Sequence, residues 1–80
     1  MNAVNLNLIA ANLNLIQVIG PATHVTVWRR LQRVVVRYSD GKRTVHTKVL
    51  WSAINALERA LAVAGWRMQV ANTCRSEWSR

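Results

Sequence analysis

The sequence predicts a small two-layer α+β domain, and three local signals carry that prediction. Two β-rich runs flank Asp40-Gly41, a dipeptide that supplies the positive φ angles of a tight hairpin turn. An apolar stripe with i, i+3, i+4 spacing runs from Leu50 to Ala64, as in a helix that packs on a sheet. A seven-residue repeat fills residues 5–18, and seven residues make two helical turns.

The repeat reads Asn-Leu-Asn-Leu-Ile-Ala-Ala and then Asn-Leu-Asn-Leu-Ile-Gln-Val. As a helix it aligns Leu6, Ile9, Leu13 and Ile16 in one seam, with Leu8, Leu15 and Ile19 in a strip beside it. Gly20 followed by Pro21 is the expected order for its end. Alternating Asn and Leu also fit two short strands, but Ile9-Ala10-Ala11 has no turn chemistry to join them, so a helix is the expectation. One apolar strip can cover the sheet while the other meets the second helix or a second copy of the chain. A chain of 80 residues buries only about 60% of its unfolded surface, and a homodimer is the expected supplement to so small a core.

His24–Trp28 alternates, with Val25 and Val27 inward and His24, Thr26 and Trp28 outward. Arg29–Gln32 then connects to the hairpin; a single strand from His24 to Tyr38, bent near these arginines, is the rival description. Either one gathers Arg29, Arg30 and Arg33 at one end of the sheet. A two-residue turn at Asp40-Gly41 pairs Tyr38 with Arg43, Arg37 with Thr44, Val36 with Val45 and Val35 with His46. That register makes a core face of Val34, Val36, Tyr38, Val45 and Thr47, with Arg43 reaching water near the turn. The other face is basic: Arg33, Val35, Arg37, Lys42, Thr44, His46 and Lys48.

Thr47 is expected to cap a second helix over residues 48–64, which Gly65 stops. Its buried stripe is Leu50, Ala53, Ile54, Leu57, Ala60, Leu61 and Ala64, while Trp51, Asn55 and Glu58 fall on another face. Trp66-Arg-Met-Gln-Val70 alternates again and reads as a short C-terminal strand with Trp66, Met68 and Val70 inward. Residues 71–80 read as a loose polar tail carrying Trp78. The expected architecture is one two-layer domain over residues 1–80: an N-terminal helix, an antiparallel three-stranded sheet, a second helix and a possible short C-terminal strand.

Eleven Lys and Arg against three Asp and Glu give a net charge of +8, which favours an anionic partner. Nine of the eleven cations are Arg, whose planar forks match phosphate and carboxylate geometry. Cys74 is the single cysteine, which excludes an internal disulfide and fits a reducing cytoplasm. No Lys or Arg precedes the first apolar stretch and asparagines interrupt it, so neither an export signal nor a membrane span is expected.

An enzyme is hard to assemble from this inventory. Asp40 is committed to a turn, Glu58 to a helix surface and Glu77 to the tail, so no carboxylate pair is placed for acid–base or metal work. His24 and His46 could share the outer face as a metal-independent ribonuclease pair. No glycine-rich phosphate loop, Cys/His zinc set or nucleophile elbow occurs. The expectation is therefore no enzyme, cofactor or metal.

The proposed outer face interleaves cations with a flat ring, which supplies charge for counterion release and a platform for stacking. The candidate nucleic-acid contacts are Trp28, Arg29, Arg30, Arg33, Arg37, Lys42, His46 and Lys48. Three strands followed by a helix are loosely similar in order to the sheet-reading DNA-binding modules of phage-type integrases. A helix before three strands and a second helix looks like a double-stranded-RNA-binding domain in outline; of the lysine cluster that opens the second helix of that family, only Lys48 has a counterpart here. The leading expectation is a basic DNA- or RNA-binding accessory or regulatory protein from a phage, plasmid or bacterium. The alternative is an inhibitor or adaptor that docks on an acidic host protein.

Overall fold

The computed structural model describes Leu15 and residues 17–80. The protein is α+β: β1 (His24–Trp28), β2 (Arg33–Arg37), β3 (Arg43–His46), a helix (Trp51–Val63), β4 (Arg67–Ala71) and β5 (Arg75–Ser79) follow in order. Five antiparallel strands form one sheet in the order β3-β2-β1-β5-β4. The sheet thus has five strands rather than three, and the segment 71–80 is no loose tail. Its strand β5 lies between β1 and β4, and Trp78 is only 6% exposed. The physical reason is period-2 alternation: Ser76 and Trp78 turn inward while Arg75, Glu77 and Ser79 turn outward, a pattern masked by the polarity of the segment.

Leu15 and Gln17–Ile19 are helical, and Gly20-Pro21 form the turn that follows. Leu15 and Ile19 are buried in the core. The rest of the expected N-terminal helix, with Leu6, Leu8, Ile9, Leu13 and Ile16, lies outside the described residues. Tyr38 Oη donates to the Val18 carbonyl at 2.7 Å, which fastens this turn to the end of β2.

Among the described residues the core is one cluster, in which Val25, Val27, Val34, Val36 and Trp78 of the sheet meet Ile54, Leu57 and Leu61 of the helix. The helix leaves edge strand β3 and delivers the chain to β4 at the opposite edge, so it spans the sheet and buries Ala53, Ile54, Leu57 and Leu61. Leu50 and Ala64, assigned to the buried stripe, are exposed at its ends. Thr47 does not cap it: the N-cap is Leu50, without a side-chain bond, because a link through Lys48 in a left-handed conformation (φ 59°) delays the helix start. The C-terminus ends as expected. Gly65 (φ 91°) donates to the Ala62 carbonyl and Trp66 to the Leu61 carbonyl, a Schellman arrangement in which Trp66 packs back toward the core.

The hairpin is present, but its loop has three residues instead of two. Tyr38 N–H donates to the Lys42 carbonyl, and Gly41 N–H to the Tyr38 carbonyl, leaving Ser39, Asp40 and Gly41 as the loop. Gly41 alone carries a positive φ (84°), so the mirror-image turn, which needs two such residues, gives way to a turn closed by a left-handed glycine. Asp40 Oδ1 accepts the Lys42 N–H at 3.0 Å, which stabilises this geometry.

One extra loop residue slides β3 by one position, so Arg37 pairs with Arg43, Val36 with Thr44, Val35 with Val45 and Val34 with His46. A slip of one reverses both faces of a strand. Val45 consequently lies on the outer face, 48% exposed, with Arg43 beside it, while Thr44 and His46 turn to the inner face. Thr47 is exposed beyond the strand.

A second register irregularity affects β4. A bulge between Met68 and Val70 sets Met68 opposite Trp78 but Val70 opposite Glu77, so Val70 joins the outer face instead of pointing inward. Met68 keeps the inner side but stays half-exposed at the sheet edge.

Candidate nucleic-acid interface

The helix covers one face of the sheet, and the other presents three cross-strand rows. Arg43, Arg37, His24, Ser79 and Arg67 form the first, in register across all five strands. Val45, Val35, Thr26, Glu77 and Val70 form the second. Arg33, Trp28 and Arg75 form the third. Each row follows from strand alternation, which returns side chains to one face every second residue, roughly 6.7 Å apart along the strand. Five arginines therefore stand against one carboxylate, Glu77, whose Oε2 lies 3.6 Å from Arg75.

The third row ends in a flat stack. The Arg75 guanidinium lies over the Trp28 ring, 5.3 Å from its centroid, and Arg33 flanks the same Trp from the other strand. Between the first and second rows is a depression of about 180 Å³, bordered by His24, Thr26, Val35, Arg37, Gln69 and Glu77. Gln69 is the extra residue of the β4 bulge, and its Nε2 donates to Ser79 Oγ at 2.9 Å.

The structure divides the residues expected at this surface. Trp28, Arg33 and Arg37 share the outer face, and Arg30 is exposed in the turn after β1. Lys42 is exposed at the hairpin loop, and Lys48 is exposed in the link to the helix. Arg29 is drawn away: it follows outward-facing Trp28, so it points inward and binds Glu58 at 2.8 and 3.0 Å. Glu58 is buried rather than placed on a helix surface. Its Oε2 also accepts the Ser76 hydroxyl at 2.6 Å, and Ser76 Oγ accepts Trp78 Nε1–H at 2.9 Å.

His46 is on the inner face, with its Nε2 enclosed and, among the described residues, without a hydrogen-bond partner. His24 is on the outer face, so the two histidines cannot act as a pair. Arg43, Arg67 and Arg75 complete the basic face and were not singled out by sequence reasoning. The alternation Arg75-Ser76-Glu77-Trp78-Ser79 was the signal for one of them, and the hairpin loop length for another. Among the described residues, no group of three His, Cys, Asp or Glu is positioned to hold a metal ion. Compared with protein-family models, curated proteins and solved structures, the chain matches none of them.

Proposed function

We propose that this protein is a small nucleic-acid-binding accessory or regulatory factor that grips a phosphate backbone with the outer face of its sheet. The observation carrying this reading is the Arg33–Trp28–Arg75 row, two cations flanking a stacking ring on adjacent strands, set parallel to the Arg43–Arg37 row. Arginine forks neutralise phosphates and release counterions, while the indole offers a base or sugar a flat surface. Arg29 is left out of this surface because its charge is already matched by Glu58.

The test is anisotropy of labelled oligonucleotides titrated across salt. Several phosphate contacts give a steep negative slope of log K against log salt, and the Arg37→Gln, Arg43→Gln double variant flattens it by about two. Parent-like binding and slope in that variant would remove the Arg43–Arg37 row from the contact surface, and the same result for Arg33→Gln with Arg75→Gln would assign the contacts to another surface.

The second reading, an adaptor for an acidic protein, is favoured by the exposure of Val45 and Val70 among these arginines, a mixture found at protein interfaces. It is adopted if no oligonucleotide binds while a nuclease-treated acidic partner forms a stoichiometric complex. Homodimerisation and a cytoplasmic setting belong to the same proposal, and light scattering measures the first. Among the described residues, no helix is long and apolar enough to cross a membrane.

A further inference from the structure

We infer that the preferred ligand is single-stranded nucleic acid, and that the depression between the Arg43–Arg37 row and the middle row receives one unpaired guanine through Glu77. This inference rests on the nucleic-acid reading of the outer face and sharpens it. Width excludes the B-form major groove as the seat of this face. Four strand spacings separate β3 from β4, about 19 Å at roughly 4.8 Å each, whereas the major groove of B-form DNA is about 12 Å wide and admits a helix or a two-stranded ribbon. A five-stranded face cannot enter it. A single strand laid across the sheet meets no such limit, and its bases are free to turn toward the protein.

The middle row supplies what a base edge needs. Glu77 borders the depression with Thr26 and Val35 in register on one side and Gln69 on the other. The arginine-bearing rows stand on either side of this middle row, about 13 Å apart across four residues of strand rise, and the first of them borders the depression. Phosphates can follow a cationic row while the base points inward to the carboxylate. The two oxygens of Glu77 are acceptors only. Guanine presents two adjacent donors on its Watson–Crick edge, the ring N1–H and the 2-amino group, and matches that carboxylate with two parallel hydrogen bonds. Cytosine and adenine offer one amino donor next to a ring acceptor, and thymine flanks its N–H with carbonyl oxygens that repel a carboxylate. A depression of about 180 Å³ has room for one flat base.

The experiment uses the full chain and fluorescein-labelled eleven-mers of thymidylate, with the central position thymine, guanine, or hypoxanthine, which lacks the 2-amino group. A duplex of mixed sequence is measured in parallel. The expected result is guanine bound about tenfold more tightly than thymine, in the range of a good bidentate base contact, with hypoxanthine between them and the duplex weakest. Glu77→Gln abolishes the guanine preference, so that guanine and thymine oligomers bind this variant equally; circular dichroism verifies its fold. Equal affinity for the three oligomers overturns the guanine site while leaving the phosphate-binding face in place. Tighter binding of the duplex overturns the single-strand assignment. If no oligomer or duplex binds in a salt-dependent way, the inference and the functional reading beneath it fall together.

Discussion

Arg29, just beyond the end of β1, holds both oxygens of Glu58 on the helix, at 2.8 and 3.0 Å. This contact joins sheet to helix and begins a chain that continues through Ser76 to the Trp78 indole. The two ends differ in environment: the Arg29 side chain is 40% exposed and that of Glu58 is 10% exposed. Glu58→Ala should therefore destabilise by about 1–3 kcal/mol, because the Ser76 hydroxyl loses its acceptor in the interior. Arg29→Ala should cost less, about 1 kcal/mol, since its guanidinium is partly screened by solvent and the Glu58 carboxylate left behind keeps the Ser76 hydroxyl as a donor. Urea midpoints at unchanged slope measure both; a larger loss for Arg29 than for Glu58 would reverse this ordering.

The last strand is structural. Trp78→Ala is expected to cost about 3–5 kcal/mol, the range for removing a buried large aromatic, enough to leave a chain of this size largely unfolded. Removing residues 75–80 should abolish cooperative unfolding, because it deletes the strand between β1 and β4. A truncated chain that melts like its parent would contradict the five-stranded sheet.

The hairpin register has its own test in Val45. Placed on the outer face, Val45→Ser changes stability by no more than about 0.5 kcal/mol, as expected for an exposed position. Val36→Ser, at a fully buried site, should be destabilising by about 2 kcal/mol or more. Comparable losses at the two positions would indicate the two-residue turn instead.

Trp28 separates stacking from charge. Trp28→Ala should weaken single-strand binding by about 1–3 kcal/mol, the range for one base stacked on an aromatic ring, without altering the salt slope, because no phosphate contact is lost. Arg33→Gln should do the reverse, reducing the slope by about one. Anisotropy titrations at several salt concentrations distinguish these effects; a changed slope for Trp28→Ala would argue against stacking.

Local rules reached far in this chain. Alternation placed Val25 and Val27 inward with His24, Thr26 and Trp28 outward, the Asp40-Gly41 pair located the hairpin, and Gly65 marked the end of the helix. Each depends on the conformational preferences of residues close in sequence, which remain readable without a partner. The register of β3 was not readable in this way. It depends on one extra loop residue, and an edge strand with no deeply buried side chain does little to enforce one face over the other. The burial of Glu58 depended on Arg29 and Ser76, 29 and 18 residues away.

By itself the sequence determined the α+β class, the hairpin site, the helix stop and the strongly cationic character, because each is a property of composition or of neighbouring residues. Only the tertiary structure decided that Arg75–Ser79 is a central strand, that Arg29 is neutralised, and that Arg43 and Arg75 join the outer face in place of His46. Those outcomes depend on strand pairing and helix packing between distant segments, where the gain from burying Trp78 and satisfying Glu58 exceeds any local preference of the residues involved.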